Sequence, residues 1–180
     1  MTGAGTREDL LVRAFVAADA VDVTGLLHRA YAELGARGLN FTAVDQDVAT
    51  TLRRARAGAS WVAHDRDGLV ATMTVSFPPE AALVALTPEA AVARRAWLNQ
   101  LAVDPARRGR GYAAVLRDIG FAWAREAGAT SIGLDTAEPA EHLLALYERW
   151  GFVARDTVHW PGKTYRSVVL TRPLDARAAG

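Results

Sequence analysis

Cysteine is absent from the 180 residues, and with it go disulfides, thiolate metal ligands and a cysteine nucleophile. That absence suits a reducing compartment. Excess charge is lacking too: 21 Lys and Arg stand against 20 Asp and Glu, a formal net charge of +1. No bulk field therefore favours nucleic acid or an anionic membrane, and any anion site must be local. Charged residues interrupt every apolar stretch of the opening MTGAGTREDLLVRAFVAADA. Neither a secretory signal nor a membrane span is expected there, and the expected location is cytoplasmic. His28, His64, His142 and His159 are scattered without HxxxH or HExxH spacing, so no metal is expected. Without a GxSxG elbow a serine hydrolase has no support. Internal repeats and linkers are missing as well, and 51% of the residues are apolar. Those features predict one domain over 1–180, with the tail 175–180 frayed.

What is present reads as alternating strands and helices. Residues 10–16 suit a first strand. Val23, Leu27, Ala30 and Leu34 recur at helical spacing behind cap candidates Asp19 and Asp22, and Gly35 and Gly38 break the pattern. A second helix is expected over about 43–57, with Asp45 and Asp47 at its start and Gly58 at its end. Arg53, Arg54 and Arg56 near its C-terminus read as a solvated turn that complements the helix dipole. SWVAHDRDGLVATMTVSF reads as a hairpin about DRDG, stopped by Pro78 and Pro79. An alanine-rich insertion occupies 80–95. AWLNQLAV is the next strand, followed by a helix running to Gly128 with Val115, Ile119, Ala122 and Trp123 as its buried stripe. SIGLDT then suits a strand, AEHLLALYERWG a helix closed by Gly151, and the remainder a hairpin through Pro161 and Gly162. The order is βααββ, an insertion, then βαβαββ, an α/β chain.

Between AWLNQLAV and its helix lies RRGRG. Gly109 and Gly111 lack a Cβ, which lets backbone amides turn toward a ligand and approach it closely. A helix beginning there adds unpaired N–H groups and the positive end of its dipole, so phosphate or pyrophosphate is the natural guest. Arg107, Arg108 and Arg110 supply mobile positive charge, or else simply point into water. A nucleoside triphosphate loop is excluded for want of GxxxxGK followed by Ser or Thr. A dinucleotide site keeps some support, since Gly109, Gly111 and Ala114 approximate GxGxxA and Asp135 ends the next strand. Against it, Asp104 to Arg108 separate the strand from the first glycine.

A third kind of loop fits better. RGRGYA, Arg108 to Ala113, satisfies the pattern Q/R-x-x-G-x-G/A, and LYERWGF, Leu146 to Phe152, matches LYxxxGF. With LAVDP before the loop and a βααββ lead-in, the chain resembles the GNAT superfamily of acetyl-CoA-dependent N-acetyltransferases. The resemblance spans nearly all of it, apart from 80–95 and both ends. It implies a single-domain α/β fold with a mixed, mostly antiparallel sheet, flanked by helices and splayed between its fourth and fifth strands. Leu101, Ala102 and Val103 would pair through their backbones with the pantetheine arm. Amides of Arg108, Gly109, Arg110, Gly111, Tyr112 and Ala113 would hold the pyrophosphate. Tyr147 would protonate the departing thiolate, although by itself it reads as a core tyrosine sharing a face with Leu143 and Trp150.

The activity implied is transfer of an acetyl group from acetyl-CoA to a primary amine by direct attack in a ternary complex. A lysine-like amine with a pKa near ~10.4 must first lose a proton. Some relatives place a glutamate on the fourth strand for that purpose; here Asn99 and Gln100 can only orient a water. Asp135, Glu33, Glu138 or a histidine are left as bases. Ala140 stands where many relatives have an asparagine. The acceptor, a small-molecule, peptide or protein amine, should sit between the loop at Leu39, Asn40 and Phe41 and the hairpin from His159 to Tyr165. No nucleic acid or membrane partner is expected, and the family's exposed hairpins allow a homodimer. A non-catalytic acyl-CoA sensor is the rival function, and an NAD-binding domain a more distant one.

Overall fold

A computed structural model of the chain describes residues 10–174. Seven strands form one sheet in the order β1-β2-β3-β4-β5-β7-β6. The strands are β1 (Leu11–Ala14), β2 (Ala59–Asp65), β3 (Gly68–Ser76), β4 (Arg95–Val103), β5 (Ser131–Ala137), β6 (Val153–Val158) and β7 (Ser167–Pro173). The helices are α1 (Ala20–Ala36), α2 (Val48–Arg56), α3 (Ala81–Leu86), α4 (Tyr112–Glu126) and α5 (Glu141–Arg149). All pairings are antiparallel except β4 with β5. That parallel pair holds for three registers only, Arg95 to Ser131, Ala96 to Ile132 and Trp97 to Gly133, after which the two strands part. The mostly antiparallel sheet excludes the doubly wound dinucleotide fold, whose strands run parallel.

Alternation along the strands sends side chains to two cores. On one face Val23, Leu27 and Ala30 of α1 pack on Val62 and Ala102. On the other, Leu116, Phe121 and Ala124 of α4, Tyr147 of α5 and Trp150 just after it pack on Met73, Val75, Ile132 and Leu134. The α1 face is the one its spacing predicts. The α4 face is not: Val115, Ile119, Ala122 and Trp123 are only partly buried, whereas Tyr112, Leu116, Gly120, Phe121 and Ala124 are buried. The stripe is rotated because Gly120 must face the sheet. A Cβ there would lie 2.4 Å from Met73 Cε, so the small residue sets how closely the helix approaches.

Other boundaries shift for local reasons. Gly35 lies inside α1, where a Cβ would come within 2.8 Å of Val44 Cγ1, and the chain turns at Gly38 with φ +80°. The second helix begins later than expected, at Val48, because Asp47 accepts the Thr50 N–H as its cap and a short 3-10 turn occupies Thr42–Val44. Asp19 is spent on Arg13 and on the Val16 N–H. Within the 80–95 insertion, Leu83 and Ala90 pack against Trp97, Val158 and Val169. It roofs the sheet beside the point where β4 and β5 part. The expectation for the tail falls outside the described residues.

Candidate active site

A cavity of about 660 Å³ opens at that divergence. Its walls come from β4 (Trp97 to Leu101), β5 (Leu134 to Thr136), α5, the end of α2, and the chain between β6 and β7. At the last paired register Trp97 fills the space above Gly133, where a Cβ would sit 2.3 Å from the indole ring, and β5 leaves β4 beyond that contact.

The wall formed by β4 is irregular. Gln100 has φ +49°, a left-handed value rare for a residue with a side chain, and the β3–β4 register slips between Thr72 and Thr74. A buried network holds the bulge: Gln46 Nε2 donates to Gln100 Oε1 (3.1 Å) and to Thr51 Oγ1 (2.8 Å). His28 Nε2 lies 2.8 Å from Gln46 O. Asp104 N donates to Val70 O (2.8 Å), which fixes the antiparallel alternation beyond the bulge. Ala102 therefore turns its backbone groups toward β3, while those of Leu101 and Val103 face the gap. The Leu101 carbonyl already accepts the Tyr31 hydroxyl at 3.0 Å and keeps a second lone pair.

From Val103 the chain passes through a 3-10 turn, Pro105–Arg107, into the glycine loop. Gly109 and Gly111 adopt φ +79° and +83°. A Cβ on Gly109 would meet nothing within 4 Å, so the loop borders open space there. Among the described residues the amides from Gly109 to Ala113 have no backbone acceptor, whereas Arg108 N reaches Pro105 O at 3.4 Å. Five adjacent amides without a backbone acceptor at a helix start are the kind of donor set that can receive a pyrophosphate. The arginines differ from the sequence reading of mobile charge. Arg107 is held by Asp65 (2.8 Å) and Asp67, and Arg108 donates to Ala30 O (2.8 Å) beside Glu33 (3.7 Å). Both fasten the loop to neighbouring elements, and Arg110 remains exposed.

Tyr147 and Asp135 both line the cavity. The Tyr147 ring packs edge-on against Trp150 (5.8 Å between centroids) and Phe152 (6.0 Å), and its hydroxyl bonds to none of the described residues. Packing and cavity positions are thus the same position. Burial pushes its pKa up, so the phenol stays protonated. Asp135 accepts Trp97 Nε1 (3.3 Å) and Trp160 Nε1 (2.8 Å). Burial raises its pKa above the ordinary carboxylate range despite those donors. Glu33 and Glu138 do not line the cavity, and His159 is bound to Lys163 O at 2.9 Å. Ala140 is fully buried with Leu34, Ala137 and Tyr165, leaving no polar group at the position of the family's asparagine.

Of the residues that the sequence reading gives to an acceptor pocket, Phe41, Trp160, Lys163 and Tyr165 line the cavity. Asn40 serves instead as a tie, receiving Thr164 N (2.8 Å) and donating to Gly162 O (2.9 Å), and Leu39 is buried in a local core. Arg54 corrects the reading of a solvated turn. It is half-buried, lines the cavity, and donates through Nη1 to Gln46 Oε1 at 2.8 Å. Nothing in its own sequence neighbourhood separates it from Arg53 and Arg56; the signal is Gln46, carried beneath it by the preceding turn. Tyr31, Ser76 and Glu80 are further lining residues without a sequence signal. Among the described residues no group of three or more His, Asp or Glu side chains could hold a metal ion, and no helix is long and apolar enough to cross a membrane.

Residues 26–152 match the family model described as the acetyltransferase (GNAT) family. Solved structures share the fold at low identity. Ard1 from Thermoplasma volcanium has a TM-score of 0.72 at 17% identity, over 93% of this chain and 99% of that one. The ribosomal-protein-S18-alanine N-acetyltransferase of Escherichia coli gives 0.68 at 14% identity, over 95% and 97%. The yncA protein of Salmonella typhimurium, solved with its cofactor acetyl-CoA, gives 0.67 at 14% identity over the same shares. No curated protein matches the chain.

Proposed function

Because this chain belongs to the GNAT acetyltransferase family, and is thereby an acyltransferase using acetyl-CoA, we propose that it acetylates a primary amine by direct attack in a ternary complex. The observation that carries this reading is the short β4–β5 pairing. Beyond it β4 and β5 no longer pair, β4 from Trp97 to Leu101 lines the cavity together with Tyr147 and Asp135, and the chain continues from Val103 into the glycine loop.

In this reading the amides of Gly109 to Ala113 hold the pyrophosphate, and the gap-facing groups of Leu101 and Val103 align the pantetheine arm as a neighbouring strand would be aligned. Arg108 and Ala102 act through the fold rather than through the coenzyme. Bound acetyl-CoA supplies a thioester whose carbon accepts the amine nitrogen as its bond to sulfur breaks. The Leu101 N–H, set by the bulge, faces the place where the carbonyl oxygen gains charge. Asp135 takes the proton that the acceptor's ammonium loses, directly or through one water held by Asn99, and its raised pKa makes it the better acceptor. Tyr147 returns a proton to the sulfur. The leaving thiol has a free pKa of about 8.5 by analogy with cysteine, so this acid assists a fair leaving group rather than rescuing a poor one.

The test is a thiol-release screen with acetyl-CoA over a broad amine library. Turnover above the hydrolysis blank, with one acetyl transferred per thiol released, supports the enzyme. Tight acetyl-CoA binding with no turnover of any amine supports a sensor module and rejects the proposal.

A further inference from the structure

The transfer just described gives no task to Arg54, although it is the most confined cation in the cavity. Its guanidinium makes one hydrogen bond, to Gln46 Oε1, and forms an ion pair with none of the described carboxylates. Glu80 and Asp135 act on it only through space, and burial lowers its pKa against that help. A guanidinium has five donors; leaving four of them in a partly desolvated pocket without an anion is costly. The cost is built in rather than incidental. Gln46, which holds Arg54, is itself fixed by Thr51 and Gln100, so the cation is braced against the same bulge that shapes β4. Lys163 lies on the same cavity, its ammonium donating to Asn40 O (2.7 Å) and Thr42 Oγ1 (3.0 Å) and to no carboxylate among the described residues. Asp135 faces them from β5. The pocket thus presents the cations Arg54, at the end of α2, and Lys163, between β6 and β7, and the carboxylates Glu80, before α3, and Asp135 on β5.

We propose that the acceptor is an amino acid or amino-acid-like molecule whose carboxylate is received by Arg54, with Lys163 beside it, while its amine meets Asp135. This inference rests on the acetyltransferase reading of the cavity and specifies its substrate. A planar carboxylate matches the guanidinium fork through paired hydrogen bonds. A polyamine or a lysine side chain flanked by basic residues would bring like charge to Arg54 instead.

The test uses matched acceptors on the whole chain: L-leucine, L-leucinamide and isoamylamine, the same triads for phenylalanine and methionine, and the aminophosphonate analogue of leucine. The free acids should exceed their amides and decarboxylated amines by about 10- to 100-fold in kcat/KM, the range of a hydrogen bond to a charged group. The phosphonate arm separates oxyanions in general from the planar carboxylate, and a phosphonate turned over better than every carboxylate overturns the proposal. In Arg54→Gln, which keeps a donor for Gln46, the acid-to-amide ratio should fall toward one, and Arg54→Lys should restore part of it. Acetyl-CoA affinity by calorimetry shows that the variants are folded. Amides or amines used as well as the acids, no triad member turned over, or an Arg54→Gln effect on acetyl-CoA affinity instead of the ratio each overturn it. If wild-type protein fails to bind acetyl-CoA at all, the underlying reading falls first, and that outcome is distinguishable from the others.

Discussion

Replacing Tyr147 by phenylalanine removes one oxygen and leaves the ring that Trp150 and Phe152 pack against. Two consequences of opposite kind follow. The hydroxyl has no partner among the described residues and faces the open cavity, so its loss breaks no hydrogen bond of the fold. Stability should change by no more than about 1 kcal/mol in either direction. For a chain of this size that is a Tm shift of at most about 2–4 °C. Coenzyme affinity, assigned to the amides of Gly109 to Ala113 and the edge of β4, should stay within about twofold. The rate should fall. A positioned acid contributes ~10²–10⁴-fold, and the low pKa of a thiol leaving group places this case at the lower end, about 100-fold in kcat. Differential scanning fluorimetry, calorimetry with acetyl-CoA and steady-state thiol release measure the three quantities on one preparation. A variant with kcat within about threefold of wild type removes Tyr147 from the chemistry. A fall in Tm larger than about 4 °C would show that the hydroxyl has a structural partner, and the reasoning from packing would then be wrong.

Three further outcomes follow from the same geometry. Asp135 carries a pKa raised by burial, so its contribution to stability is complete below the ordinary carboxylate value of ~3.9 and is lost as pH rises through the folded value. The Tm of Asp135→Asn relative to wild type should accordingly climb between pH 4 and pH 8 while activity is lost; a gap that shrinks with pH contradicts the sign. Gly133→Ala should drive a methyl into the Trp97 ring, 2.3 Å from the new atom. Overpacking costs of about 1–3 kcal/mol should appear as a lower urea midpoint together with a raised acceptor KM, and an unchanged midpoint would show that the Trp97 ring yields without cost. Arg107→Ala should leave Asp65, whose side chain is only 5% exposed, short of a charged partner. A lower urea midpoint and weaker acetyl-CoA binding are expected, and unaltered affinity would mean the loop needs no brace.

How far the sequence foretells the molecule depends on whether the deciding contact is local. The face of α1 is legible because Val23, Leu27, Ala30 and Leu34 are large or medium apolar residues at one spacing, and all four are buried. The face of α4 is not, because its centre is Gly120, a residue that periodicity treats as silent and that Met73 makes indispensable. The loop at Gly109 and Gly111 is legible since a left-handed backbone at a helix start selects glycine. Tyr147 stands out only within LYERWGF; by spacing alone it is indistinguishable from its packing neighbours, and it is in fact packed. Asp135, which a dinucleotide reading would put on a ribose, sits instead under two indoles, Trp97 and Trp160, separated from it by 38 and 25 residues. Arg54 was hidden for the same reason, since its confinement comes from Gln46, Gln100 and the walls across the cavity. Long-range enclosure, not residue type, makes those two side chains functional candidates.

Amide NMR of the labelled protein, titrated with coenzyme A and in parallel with pantetheine, addresses the cradle at the helix start most directly. The account predicts that resonances of Gly109, Arg110, Gly111, Tyr112 and Ala113 move downfield with coenzyme A and stay in place with pantetheine, which lacks the pyrophosphate, while Leu101 and Val103 respond to both. Saturable binding of coenzyme A that leaves those five resonances unmoved would contradict it.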